Sequence, residues 1–183
     1  MIWRLHLPKE FDTPVGRHDA SQFLLSLALE KEAGIDLARE TVAFEKDGKP
    51  YLADHPEWGI NMSHCEGCAA AAVFFDKRVG VDVEKIRAFP EKVLPRVLAP
   101  SEREILDQAV DRQRMFFRFW TLKESYAKAD GRGLSIGLSD VVFSLDEAGN
   151  ILSAPKGASF SLFEDEQGFL TALCLIDNPI GQG

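Results

Sequence analysis

Two carboxylates lie two residues apart in residues 80–84, where Asp82 and Glu84 alternate with valines. On a β-strand, residues i and i+2 point to one face with α-carbons roughly 6 to 7 Å apart, so both acids face away from Val81 and Val83. Mg²⁺ prefers oxygen ligands and commonly takes one or two carboxylates together with water and substrate phosphate. The pair therefore makes a partial magnesium site, although alternating acids are more often only the solvated face of a strand.

A third carboxylate, Glu124, lies on a predicted helix, and Lys128 follows it one turn later. Together with Phe117, these side chains project away from an apolar stripe on the same helix. That stripe contains Met115, Phe119, Leu122 and Tyr126. An acid and an amine on a helix that is covered on two faces favour a cleft over open surface. An ordinary glutamate–lysine helix pair, which contributes only about 0.2–0.5 kcal/mol, explains the same residues equally well.

Three further side chains are candidate contacts for an anionic ligand. Ser63 and His64 end a strand-like run, where an imidazole can donate a hydrogen bond to a phosphate. Lys49 follows a tight turn formed by Asp47 and Gly48. Each also has a more common interpretation, because strand-end histidines usually cap turns and exposed turn lysines usually have no specific partner.

Cys65 and Cys68 form a Cys-x-x-Cys step, which is compatible with a redox dithiol or with half of a zinc site. The sequence has no second such pair, and Cys174 and the remaining histidines are scattered. The step also does not open a helix in a thioredoxin-like unit. We therefore interpret both cysteines as incidental small residues.

The elements that must position these side chains predict an α+β fold. Amphipathic helices are predicted over residues 19–33, with Phe23 in the apolar stripe, and over residues 112–129; each is followed by a glycine. Pro90 begins a short helix, and Ser101 with Glu104 has the spacing of a capping box. Strands are predicted at residues 41–46, 49–52, 59–64, 69–75, 79–84, 141–145, 159–163 and 169–176.

This order of elements predicts two similar halves, residues 1–75 and residues 76–183, each a small, mostly antiparallel sheet packed with helices. The metal and catalytic motifs lie in the second half. The tail after Ile176 contains proline and glycines, and we expect it to fray.

The composition excludes several classes of protein. A chain of 183 residues with 45% hydrophobic content suits one compact unit, and a net charge of -8 argues against nucleic-acid binding through a basic surface. The first ten residues mix charged with apolar side chains, and no apolar run approaches membrane-spanning length. We therefore expect a cytoplasmic monomer with neither nucleic acid nor membrane as a partner.

In combination, the motifs resemble the 4′-phosphopantetheinyl transferase family, in particular the longer type that acts on nonribosomal peptide synthetases and similar carrier proteins. The resemblance covers about residues 40–145. Its motifs, in chain order, are GKPY at 48–51, NMSH at 61–64, GVDVEK at 80–85, FWTLKESYAK at 119–128 and GRGL at 131–134. Each motif is short, but the ordered set is specific.

The resemblance implies a reaction as well as a fold with the active site between the two halves. In the family, the positions matched by Asp82, Glu84 and Glu124 hold Mg²⁺. The implied reaction transfers 4′-phosphopantetheine from coenzyme A to a serine of an acyl or peptidyl carrier protein and releases adenosine 3′,5′-bisphosphate. Lys128 adds positive charge as the leaving phosphate departs. Either Glu124 or a metal-bound water that it orients takes the serine proton, and both remain open.

The resemblance also implies contacts to coenzyme A, together with one departure from the family. The implied contacts are Lys49, Ser63, His64 and Lys128. In the first helix, residues 19–22 stand where a stretch with histidine or arginine is expected, and Gln22 replaces the cation. Because glutamine cannot replace a charge-assisted phosphate clamp, we expect Gln22 to face the ligand and coenzyme A to bind more weakly.

Two other functions are compatible with the same residues. A protein that keeps the fold but only sequesters coenzyme A or a carrier domain would explain the altered first helix. A Mg²⁺-dependent phosphohydrolase would use the same carboxylates with water as the nucleophile.

Overall fold

Runs of strands and runs of helices follow one another along the chain, which is the α+β order that the sequence predicts. The computed structural model describes residues 1–178, except for the side chain of Leu134, so residues 179–183 of the tail expected to fray lie outside the described residues. In chain order the elements are β1 (Ile2–His6), α1 (Pro14–Ala33), β2 (Val42–Phe44), β3 (Pro50–Leu52), β4 (Trp58–Cys65), β5 (Cys68–Phe75), β6 (Lys77–Lys85), α2 (Leu94–Val97), α3 (Pro100–Gln108), α4 (Arg112–Asp130), β7 (Ser144–Leu145), β8 (Ile151–Ser153), β9 (Ala158–Glu164) and β10 (Phe169–Asp177).

The strands form two small antiparallel sheets and two short hairpins. The first sheet has the order β1-β5-β4 and the second the order β6-β10-β9, while β2 pairs with β3 and β7 with β8. All strands of the first sheet precede residue 76, and all strands of the second follow it. Each of the two predicted halves therefore contains one three-stranded sheet, and the exact division at residue 76 stays a prediction.

Side chains join the two sheets where β4 lies beside β6. The backbone N–H of Val81 donates to Asn61 Oδ1 at 2.9 Å, and that of Val83 donates to Ser63 Oγ at 3.3 Å. A Cβ at Gly59 would lie 1.9 Å from the carbonyl oxygen of Lys77, so glycine is required for this approach. The joint places Ser63 of the first sheet directly beside the carboxylate-bearing strand of the second.

Strand β5 lies at the centre of the packing and is buried on both faces. Ala69, Ala71 and Val73 pack in the cluster formed by α1, whereas Ala70 and Ala72 pack against the valines of β6. Small side chains let both layers approach the strand closely, so burial rather than side-chain size explains this alanine run.

The first helix begins earlier than the sequence predicts. Thr13 caps it by accepting a hydrogen bond from the backbone of Gly16 at 3.0 Å, and Pro14 occupies the first turn. Capping, rather than an apolar stripe, therefore sets the start of α1. The prediction that Phe23 belongs to the core is wrong, because its side chain is 61% exposed and the buried face of the helix carries Ser21 instead.

The predicted capping box at Ser101 and Glu104 is also wrong. Helix α3 begins at Pro100, and its capping residue is Ala99, which has no side-chain acceptor. Glu102 accepts a hydrogen bond from the backbone N–H of Ala99 at 2.7 Å. Glu102 therefore takes the place of the predicted Glu104 as the acid three residues after the capping residue, two residues earlier in the chain.

A fully buried ion pair connects α3, α4 and the segment before β7. Lys123 Nζ lies 2.6 Å from Glu102 Oε2 and donates to the carbonyls of Leu138 at 2.9 Å and Val141 at 2.6 Å. Glu102 Oε1 accepts from the backbone of Phe143 at 2.8 Å. Both charges are compensated by a partner and by further hydrogen bonds, which a buried pair requires.

The same ion pair explains why the strand predicted at residues 141–145 is short. Only Ser144–Leu145 pairs with β8. The carbonyls of Leu138 and Val141 point to the Lys123 ammonium, so these residues do not enter a strand ladder. Strands β1 and β8 were not predicted, because both are short and largely exposed and so lack a clear alternation of apolar and polar residues.

We predict that Lys123→Met lowers the free energy of unfolding by about 3–5 kcal/mol, because it leaves Glu102 buried without a counter-ion. Urea denaturation measures this loss. Lys92→Met, at an exposed lysine, is the control and should change stability by less than about 0.5 kcal/mol. Adding Glu102→Gln to Lys123→Met should recover part of the loss; a single variant as stable as the control would contradict the prediction.

Candidate active site

Strands β4 and β6 and helix α4 bring three of the predicted site residues into direct contact. Ser63 Oγ donates to Asp82 Oδ1 at 3.0 Å. Lys128 Nζ donates to Ser63 Oγ at 2.8 Å and to Asp82 Oδ1 at 2.7 Å, and it also reaches the carbonyl of Val81 at 3.1 Å. With the N–H of Val83 as a second donor, the Ser63 hydroxyl uses its one donor and both acceptor positions. Ser63 therefore holds Asp82 and Lys128 in place.

Asp82 has one oxygen without a partner. The residue is 5% exposed, and its Oδ2 atom is buried and accepts no hydrogen bond within residues 1–178. A buried carboxylate oxygen without a donor is costly, so an unpaired one points to a missing cationic or hydrogen-bonding partner. Asp82 thus has an acceptor position ready for a ligand.

Glu84 lies on the same strand, and both of its oxygens are engaged. Oε1 accepts from Trp120 Nε1 at 3.1 Å, and Oε2 accepts from Arg87 Nη1 at 2.7 Å. Burial, followed by the charge of Asp82, raises the pKa of Glu84. Sequence reasoning did not identify Trp120 and Arg87 as site residues, although Trp120 stands one helical turn before Glu124 and so shares its face.

Glu124 faces the same region from helix α4. In the part of the chain that the structure describes, it accepts no hydrogen bond, unlike Asp82 and Glu84. Burial raises the pKa of Glu124, the charges of Asp82 and Glu84 raise it further, and Lys128 opposes the shift. The three predicted carboxylates therefore repel one another across a partly desolvated space.

These carboxylates are not arranged as a ready coordination sphere. Among the described residues, no group of three or more histidine, cysteine or acidic side chains is positioned to hold a metal ion. Cationic side chains bind the acids instead, Lys128 at Asp82 and Arg87 at Glu84. The metal-ligand role of Asp82, Glu84 and Glu124 stays a prediction.

A cavity of about 250 Å³ opens beside this cluster. It is lined by His18, Ser21, Met62, Ser63, His64 and Lys128. Gln22 is exposed and does not line this cavity, so its expected position at the ligand stays a prediction. His18 and the buried Ser21 line the cavity from α1, whereas the next residue, Gln22, is exposed.

His64 lies on the cavity wall, and His18 is a neighbour that sequence reasoning missed; the contact of His64 with coenzyme A stays a prediction. The two ring centroids are 6.4 Å apart and the ring planes are perpendicular. Burial, followed by the charges of His18 and Lys128, lowers the pKa of His64. An unperturbed imidazole titrates near neutral pH, so this shift favours the neutral ring in the free protein.

Lys49 is separated from the other predicted contacts. Its Nζ donates to the carbonyls of Val79 and Lys128, each at 2.7 Å, and so ties β6 to the end of α4. Burial, followed by the charge of Arg78, lowers the pKa of Lys49 to about 8. Lys49 lines a different cavity of about 480 Å³, together with Trp58. Its predicted role as a coenzyme A contact stays a prediction.

All three cysteines are free thiols. Burial is the main cause that raises the pKa of Cys65 to about 12 and that of Cys68 to about 11. Such thiols are poor nucleophiles and poor metal ligands at neutral pH, which agrees with their interpretation as incidental residues.

Comparisons with known proteins support the same family. A sequence model described as the 4′-phosphopantetheinyl transferase superfamily matches residues 78–174. The chain is 30% identical over 158 residues to 4′-phosphopantetheinyl transferase HetI of Nostoc sp. strain PCC 7120, covering 82% of this chain and 67% of the relative. It is 26% identical over 157 residues to 4′-phosphopantetheinyl transferase Sfp of Bacillus subtilis strain 168, covering 82% and 70%.

Solved structures in this comparison are similar over about half of the chain. The holo-[acyl-carrier-protein] synthase of Thermotoga maritima matches with a TM-score of 0.45 and 30% identity, over 55% of this chain and 62% of that chain.

Within residues 1–178, no helix has the length and apolar character needed to cross a membrane.

We predict that Lys49 makes stability depend on pH between about 8 and about 10. Its pKa is about 8 in the native protein, whereas an unfolded chain keeps lysine charged up to about pH 10.4. Between these values the unfolded state binds the extra proton, so rising pH relieves the cost of burying the ammonium and raises the free energy of unfolding.

Urea denaturation of the wild type and Lys49→Met across this range measures the effect. The stability of the wild type relative to the variant should rise with pH. A difference that stays constant would show that Lys49 titrates as an ordinary lysine.

Proposed function

Because this chain belongs to the 4′-phosphopantetheinyl transferase superfamily and is an enzyme of that family, we propose that the cluster of Ser63, Asp82, Glu84, Glu124 and Lys128 is its active site. The activity is transfer of phosphopantetheine from coenzyme A to a carrier protein. The observation that carries the assignment to these residues is the contact among Ser63, Asp82 and Lys128, which come from three separate motifs.

Magnesium is the ion that best suits the acids of this site, with Asp82, Glu84 and Glu124 as its ligands. The chemistry of the residues suits such an ion, because the Oδ2 atom of Asp82 is buried without a partner and the three carboxylates repel one another. The described acids do not form a coordination sphere in this structure, so the proposal requires them to move when the ion binds. When bound, the ion supplies positive charge that neutralises diphosphate oxygens. Arg87 and Lys128, which hold Glu84 and Asp82 in the free protein, keep the acids compensated until then.

Lys128 serves the substrate phosphates as well as Asp82. Its side chain is 28% exposed, against 7% for that of Asp82, and Lys128 lines the cavity. A positioned ammonium stabilises charge that develops on the leaving phosphate without having to reorganise during the reaction. Ser63 and His64 provide a hydroxyl and an imidazole on the same wall of the cavity.

The chemical step forms one bond to phosphorus and breaks another. The hydroxyl oxygen of the carrier serine attacks the β-phosphorus of coenzyme A, and the bond from that phosphorus to the bridging oxygen breaks. The bridging oxygen keeps the electron pair and leaves as part of adenosine 3′,5′-bisphosphate. Glu124 would accept the serine proton, either directly or through a water that it orients; it accepts no hydrogen bond from another described residue.

Mass spectrometry of a panel of apo carrier proteins incubated with coenzyme A and Mg²⁺ tests this function. At least one carrier should gain the mass of phosphopantetheine, with an equal amount of adenosine 3′,5′-bisphosphate released. Binding of coenzyme A without transfer to any carrier would instead indicate a binding module. Release of phosphate or nucleotide without a carrier would indicate a phosphohydrolase.

We predict that Asp82→Asn, Glu84→Gln and Glu124→Gln each lower transfer by at least about a hundredfold, since removing a charged ligand costs several kcal/mol of transition-state stabilisation. Steady-state assays of carrier modification measure the loss, and circular dichroism checks the fold. Glu104→Gln, at an exposed acid of α3, is the control and should retain full activity. Turnover near the wild-type rate in one of the three variants would remove that residue from the metal site.

A further inference from the structure

The cavity beside the active-site cluster has a wall of basic side chains. Of the described residues that line it, none is acidic, whereas His18, His64 and Lys128 all carry nitrogen bases. The chain as a whole has a net charge of -8, with 29 acidic and 21 basic residues. Because acidic side chains dominate elsewhere, their absence from this wall favours an anionic ligand here.

The two imidazoles are free to bind such a ligand. Their centroids lie 6.4 Å apart, and neither ring donates a hydrogen bond to another described residue. The Oγ atom of Ser21 donates a hydrogen bond to the backbone carbonyl of His18 at 2.7 Å, which fixes the backbone at His18 and does not engage its ring. The adjacent Arg17 is engaged elsewhere, with Nε 2.5 Å from Asp12 Oδ1.

We propose that His18 and His64 together bind a phosphate group of coenzyme A, and that His18 supplies a cation from the first helix, where the family resemblance implies one and Gln22 has none. This inference rests on the proposed function, because coenzyme A is the phosphate-bearing substrate of that reaction. Its new content is the role of His18, which belongs to none of the sequence motifs and reaches the site through the packing of α1 on β4 and β5.

The arrangement makes binding sensitive to pH. The charged groups near His64 are Arg17 and His18 from α1 and Lys128 from α4, and they act with burial to lower its pKa in the free protein. Asp82 of β6 is held behind Lys128 and Ser63. A bound phosphate favours the charged imidazole, so binding takes up protons and, by linkage, affinity rises as pH falls towards about 6.

Isothermal titration with coenzyme A tests the proposal on four proteins, namely the wild type, His18→Gln, His18→Lys and Gln22→Ala. Measurements at about pH 6 and about pH 8.5, each in two buffers of different ionisation enthalpy, give affinity and proton uptake. At the lower pH, His18→Gln should bind about five- to tenfold more weakly than the wild type and take up fewer protons. At the higher pH the two should differ little.

The other two variants separate charge from structure. His18→Lys should bind well at both pH values, because an ammonium stays charged throughout this range. Gln22→Ala, on the same helix but outside the cavity, should match the wild type. A merely structural role for His18 would weaken binding equally at both pH values and would not be rescued by lysine, and this result would overturn the proposal.

Failure of this inference is distinguishable from failure of the proposed function. If the wild type modifies a carrier but His18→Gln binds coenzyme A as tightly as the wild type at low pH, only the role of His18 is wrong. If the wild type modifies no carrier, inorganic pyrophosphate becomes the probe. Weaker pyrophosphate binding by His18→Gln at low pH then supports the imidazole pair, and equal or undetectable binding overturns it.

Discussion

The edge of strand β6 that faces away from β10 is the constraint on which the rest of this structure depends. Its backbone N–H groups need acceptors once they are buried, and β4 supplies them through Asn61 and Ser63 rather than through a backbone ladder. Because Asn61 and Ser63 are two residues apart on β4 and accept from Val81 and Val83 on β6, these hydrogen bonds fix the alignment of the two strands. That register places the Ser63 hydroxyl against Asp82 and within reach of Lys128, so the contact that joins the two halves also builds the centre of the site.

The second requirement is compensation of buried charge in an acidic protein. Asp82 is held by Lys128 and Glu84 by Arg87. Under the proposed function, a metal ion and a substrate would replace these contacts. Glu124 has no such partner among the described residues, and burial together with the neighbouring acids raises its pKa. Repulsion among the acids is therefore reduced but not removed in the free protein, which leaves the site prepared for positive charge.

Helix α4 serves the core and the site with adjacent residues. Lys123 points into the protein and closes a fully buried pair with Glu102, while Glu124 faces the cluster. Gly80 allows the helix to lie directly on β6, because a Cβ there would be 1.9 Å from the carbonyl oxygen of Ser125. The position of Glu124 and Lys128 thus depends on an anchor on one side of the helix and a close approach on the other.

The sequence by itself determined the α+β class, the hairpin strands, the long helix α4 and the ordered motifs that identify the family. These are consequences of local chemistry: periodicity, glycine stops, turn residues and short spacings along one element. Only the tertiary structure decided the start of α1, the exposure of Phe23, the short β7 and the position of Glu102. It also separated Lys49 from the cavity and brought His18 to it in place of Gln22. Periodicity shows that a helix has a buried face, but which neighbouring residue lies at the edge of that face depends on the rotation of the helix against a sheet formed by distant residues.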